Sequence, residues 1–112
     1  MTADELEAEY AEHALRPFTA PGILMLDGDR ALEFVERART ARVPVLGVNG
    51  FILQGERTIS PLEHLADYSR AVGTGQGCWD AAAAFIRERR MLDLAFEVVL
   101  GGSLPLSKRD DG

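Results

Sequence analysis

Two short apolar runs with one amphipathic segment between them constrain this chain more than any other feature. Ile23-Leu24-Met25-Leu26, set between Pro21-Gly22 and Asp27-Gly28, reads as a buried strand. Asp29 is then placed to cap a helix in which Ala31, Phe34, Val35, Ala38 and Ala41 form one apolar stripe, while Glu33 and Arg37 pair on the other side. A second apolar run, Val43-Pro44-Val45-Leu46-Gly47-Val48, follows at once. Residues 23–48 thus have the order and length of a βαβ unit with a right-handed crossover.

The flanking segments extend this frame. Thr2 and Glu5 have capping-box spacing, and Leu6, Tyr10 and Ala14 recur at helical intervals, which predicts a helix over 3–15 ended by Pro17. Asn49-Gly50 between apolar runs fits a hairpin turn, and a bulged strand running on through Phe51 is the competing reading. Ser60-Pro61-Leu62-Glu63 combines a capping box with proline at the first helical position, and Leu62, Leu65, Ala66, Ser69 and Val72 trace a helix face as far as Gly73. Another helix is predicted from Cys78 to Arg90, with Trp79, Ala82, Ala83 and Ile86 inward. Leu92, Leu94, Phe96, Val98 and Leu100 alternate with Asp93, Ala95, Glu97 and Val99, as in a strand with one core face and one largely wet.

The expected fold is therefore α+β: a single compact domain with a three- to four-stranded mixed sheet, containing the βαβ unit and packed by about four helices. Residues 1–20 form an acidic helix and connection, 21–101 the α+β core, and 102–112 a loose tail of glycine, serine, proline and charge.

A length of 112 residues suits one domain, and the lone Cys78 excludes an internal disulfide. The uncharged stretch Val43–Gly55 is too short to cross a bilayer, and the acidic start Met1-Thr2-Ala3-Asp4-Glu5 lacks a basic secretory region, so the expected location is cytoplasmic. Asp4, Glu5, Glu7, Glu9 and Glu12 against Arg16 hold most of the net charge of -6. The strongest basic cluster, Arg87, Arg89 and Arg90, is explained by a helix C-terminus, and this argues against a nucleic-acid partner.

Gly73-Thr74-Gly75-Gln76-Gly77 has the composition of a phosphate cradle, yet a helix precedes it and no Gly-Lys-Ser/Thr follows. It reads as a helix cap and turn, with Gly75 at a tip able to close on a ligand or partner. On the expected helix, Glu63 with Asp67 and His64 with Tyr68 are neighbours, so His64, Asp67 and Tyr68 are weak catalytic candidates beside the simpler reading of a solvated face. No metal-ligand spacing and no cofactor motif appears. Cys78, near a helix start, is a candidate thiolate or a core filler, and Trp79 an interface anchor or a core residue. Asp93 and Glu97 on the wet strand face form a small acidic stripe, and Glu9 and Glu12 a second acidic surface.

A small acidic α+β chain without a catalytic constellation is similar in general type, by size and charge, to bacterial immunity and inhibitor proteins. The missing site, the acidic first helix and the half-wet last strand point to a non-enzymatic module that masks or regulates a protein. Its binding residues would be Glu9, Glu12, Asp93, Glu97, Gly75 and Trp79, and its partner a basic protein or a second copy of the chain. The alternative is a small enzyme or ligand-binding protein that uses His64, Asp67 and Tyr68, with the 73–77 loop as a lid and a pocket lined by Phe51, Tyr68 and Trp79.

Overall fold

Helix α1 (Ala3–Tyr10) opens with the expected capping box. Thr2 Oγ1 accepts from the Glu5 amide at 3.1 Å, and Glu5 Oε1 accepts from the Thr2 amide at 2.7 Å. The helix gives way to a 3₁₀ turn over Ala11–His13, short of the expected residue 15. The structure is a computed structural model that describes residues 1–18 and 22–102, so most of the expected tail lies outside the described residues.

Helix α2 (Gly28–Ala41) is capped by Asp27, whose side chain accepts from the Arg30 amide at 2.8 Å, and not by Asp29. Asp29, in the first turn, is instead paired with Arg90 at 2.8 Å. The predicted stripe is buried: Ala31, Phe34, Val35 and Ala38 face the core, and Arg42 ends the helix in the left-handed conformation. Glu33 does not pair with Arg37. It lies against Arg30 and the Tyr10 hydroxyl, leaving Arg37 for a two-pronged contact with Glu9 at 2.8 and 2.9 Å.

Strand β1 (Val45–Gln54) runs unbroken through Asn49-Gly50, so the reading in which the strand continues past Phe51 holds and the hairpin reading does not. The hairpin lies further on, at Gly55-Glu56, where Gly55 takes φ +59° and leads into β2 (Arg57–Ile59), with Gln54 opposite Arg57.

The helix expected from Pro61 to Gly73 does not form as one piece. Leu62–His64 is a 3₁₀ turn, Leu65–Asp67 is strand β3, and only Ser69–Gly73 is helical, as α3. The capping box stays open because nothing caps the turn through a side chain. Residues 65–67 instead pair with β1, Gly47 opposite Asp67 and Asn49 opposite Leu65. Glycine makes this approach possible. A Cβ on Gly50 would meet His64 Cβ at 2.9 Å, and one on Gly47 would meet the Ala66 carbonyl oxygen at 2.6 Å.

Helix α4 (Trp79–Arg89) buries Ala82, Ala83 and Ile86 as expected. Strand β4 (Ala95–Leu100) pairs antiparallel with β1 on the edge opposite β3, with a register irregularity between Val45 and Gly47. Among the described residues, four α-helices and a four-stranded sheet make up an α+β fold. All strand pairs are antiparallel, in place of the expected mixed sheet. The run 23–26 contributes a single bridge, Leu26 with Phe96, through hydrogen bonds of 2.9 and 2.7 Å. It therefore runs in the same direction as β1 but with β4 between them, so the βαβ unit is split by the last strand.

Helices α1, α2 and α4 cover one face of the sheet. Leu6, Tyr10, Phe34, Val48, Ile86 and Phe96 belong to the resulting core, and Tyr10 meets Phe34 edge-on at 5.2 Å. Each such side chain contributes about 1.5–3 kcal/mol on burial. Because Leu6 and Tyr10 are fully part of that core, the acidic N-terminal helix is built into the domain. The opposite sheet face carries a second, small cluster of Met25, Phe51 and Ala95. There Leu15 N–H donates to Met25 O at 2.8 Å and the Arg16 guanidinium reaches Gly55 O, tying the connection after α1 to the hairpin.

Candidate functional site

The uncovered part of the sheet is built from two cross-strand rows. Register places Leu65, Asn49 and Glu97 side by side, and then Asp67, Gly47 and Val99. Of these, Leu65, Asn49, Asp67, Gly47 and Val99 line, with Leu46, a groove of about 220 Å³ in which Asp67 is the only charged lining residue among the described residues. Glu97, at the end of its row, is half-buried and accepts from Asn49 Nδ2 at 2.8 Å, so its carboxylate is anchored to a lining residue of the groove. Asp67 Oδ1 accepts from the Ser69 amide at 2.9 Å and the Ser69 hydroxyl at 2.7 Å, and these bonds hold its carboxyl below the usual carboxylate range.

Burial, then Asp4 and then Glu97 push the Glu7 carboxyl above the usual range, which places Glu7 within electrostatic reach of Glu97. The Glu7 carboxyl of the first helix is thus coupled electrostatically to Glu97 of the last strand. Asp93 does not join them. It precedes β4 in the left-handed conformation at φ +57°, closing the 3₁₀ turn Arg90–Leu92, so the Asp93–Glu97 stripe does not form. Glu9 is engaged with Arg37, and Glu12 lies 3.4 Å from His13.

His64, Asp67 and Tyr68 do not share a helical face, because β3 alternates where a helix would have aligned them. His64 Nδ1 accepts from Arg89 Nε at 3.2 Å, and the same guanidinium donates to the Glu63 and Phe85 carbonyls and lies over the Phe85 ring. Tyr68 turns the other way, donating from its hydroxyl to Ala81 O at 3.2 Å. Burial, followed by the neighbouring Cys78, pushes its phenol up.

A second recess of about 380 Å³ is lined by Tyr68, Gln76, Cys78, Trp79, Asp80 and Arg39 among others. It brings together Tyr68 and Trp79 of the expected pocket, while Phe51 belongs to the cluster on the opposite side of the sheet. Trp79 Nε1 donates to Val43 O at 2.8 Å, and the Arg39 guanidinium lies 5.7 Å over its ring. Gly77 sits against the same ring with no room for a side chain, which gives that glycine a packing reason. Cys78 precedes α4, but burial pushes its thiol up, the reverse of an activated thiolate. Gly75, at φ +94°, is exposed at the loop tip.

Among the described residues no three His, Cys, Asp or Glu side chains converge as a metal site would require, and no helix is long and apolar enough to cross a membrane. The groove residues Leu46, Asn49, Leu65 and Val99 were not among the sequence candidates. One signal pointed toward them: two glycines three apart inside an apolar strand mark the close approach of another backbone. No known protein family, curated protein or solved structure shows a significant match to the chain.

Proposed function

We propose that the chain is a non-enzymatic protein-binding module of the cytoplasm, of the inhibitor kind, that holds a basic protein partner on the uncovered sheet face. The observation that carries this reading is the groove of Leu46, Leu65 and Val99, with Asp67 in its lining, Glu97 bonded to its Asn49, and no cation among its described lining residues. Apolar contact supplies affinity there, and the carboxylates supply orientation and a faster encounter.

Capture of the partner on tagged protein tests it. Asp67→Asn combined with Glu97→Gln is expected to lose the partner first as salt rises, while Glu56→Gln on the β1–β2 turn retains it. Equal retention by both variants would remove the groove from the reading.

A second reading rests on the recess beside Tyr68 and Trp79, whose size suits a small ligand. Trp79 is the sole tryptophan of the chain, so its fluorescence reports occupancy directly. A ligand screen that leaves this fluorescence and the melting temperature unmoved counts against it.

A further inference from the structure

We infer that the partner is engaged as an extended basic segment that adds to strand β3 and lays alternate side chains over the groove. This rests on the reading of the uncovered sheet face as a protein-binding surface.

Three observations lead to this mode. First, β3 is a sheet edge: residues 47–49 of β1 pair with β4 on one side and with β3 on the other, and no strand pairs with the outer side of β3 among the described residues. Second, that edge has unused backbone groups. Tyr68 N–H donates to Leu46 O at 2.7 Å, so by alternation the amide groups of Ala66 point toward β1 and those of Leu65 and Asp67 point outward. Leu65 N–H is taken by Leu62 O, whereas Leu65 C=O and Asp67 N–H face the outer side of β3, where no strand pairs among the described residues. These two groups flank Ala66, at the spacing through which a neighbouring strand attaches.

Third, register sets the chemistry of the incoming chain. A strand beside β3 adds one residue to the row Leu65–Asn49–Glu97 and another, two positions along, to the row Asp67–Gly47–Val99. The first position faces Leu65, 46% exposed and apolar, and takes an aliphatic side chain. The second faces the Asp67 carboxylate, which has Oδ2 free beyond its bonds to Ser69, and takes Lys or Arg. The inferred motif is thus an aliphatic and a basic residue separated by one position.

The test is an amide-resolved NMR titration of the ¹⁵N-labelled full chain with a blocked pentapeptide in which valine and arginine alternate with threonine. Saturable shifts at Leu65–Asp67, Asn49 and Val99 are expected. Glutamate in place of arginine should abolish them, and Asp67→Asn should weaken binding about two- to fivefold. A third peptide carries the same side chains with its backbone nitrogens methylated. Equal binding by this peptide overturns strand addition while leaving the groove as the binding face. Absence of any saturable shift, or shifts centred away from β3, also overturns it, and capture of a partner that depends on Asp67 and Glu97 would still stand. If concentrating the protein alone moves the same amides, the edge is filled by a second copy and the inference is wrong.

Discussion

Gly47 and Ala66 face one another so closely that a Cβ on Gly47 would lie 2.6 Å from the Ala66 carbonyl oxygen. Backbone cannot yield at that distance as a flexible side chain would. The pairing of β3 with β1, and with it the groove wall formed by Leu65 and Asp67, depends on a missing methyl group. Gly47→Ala is expected to destabilise the fold by about 1–3 kcal/mol. In hydrogen exchange it should strip protection from the Tyr68 amide, which donates to Leu46 O, before that of the β1–β4 ladder. Gly73→Ala, with nothing within 4 Å, is the matched control and should stay within about 0.5 kcal/mol of wild type.

Trp79 fastens α4 to the segment before β1 through its indole N–H and the Val43 carbonyl. Trp79→Phe keeps an aromatic ring but leaves that carbonyl, on a fully buried residue, without its donor. Chemical denaturation should show a loss of about 1–3 kcal/mol. A loss below a few tenths would mean that another donor takes over the Val43 carbonyl.

Arg42 ends α2 at φ +58° and is exposed, so it carries the steric burden of the left-handed region with little burial in return. Arg42→Gly is expected to raise stability by about 1 kcal/mol, read as a higher melting temperature with unchanged secondary structure.

Glu7 sets a pH dependence whose sign follows from its neighbours. Its carboxyl is raised by burial and by Asp4 and Glu97, so its ionisation opposes folding. The stability it contributes is present in full below the unfolded-state value and is lost as pH rises through the folded-state value. Glu7→Gln should therefore melt higher than wild type at neutral pH, and the gap should close below about pH 4. A gap independent of pH would mean that packing, not charge, governs the site.

The local patterns that could be read from sequence were those whose outcome is decided locally. The Thr2–Glu5 box, the stripe of α2 from Ala31 to Ala38, and the inward face of α4 all form where expected. In the 61–73 segment Ser60, Pro61 and Glu63 carry a helix-start signal, and that signal is outweighed by pairing with a strand 18 residues away, Val48 opposite Ala66. The same override separates His64 from Tyr68. Glu97 and Trp79 were visible as candidates, one a carboxylate in an apolar strand and the other a lone indole. The groove was not, since Leu46, Leu65 and Val99 are unremarkable apolar residues until cross-strand register makes them neighbours.

The bridge between Leu26 and Phe96 bears on how the chain can be made. Strand β4 lies between the segment before α2 and β1, so the first two strand-like runs to leave the ribosome have nothing to join them. Phe96 and Val98 complete the core that α2 and α4 cover. Until residues 95–100 have been synthesised, α2 and β1 lack the strand that completes the core between them. Completion of the sheet then waits for the last strand to insert between elements made before it, and in that interval the exposed apolar surface is prone to aggregation.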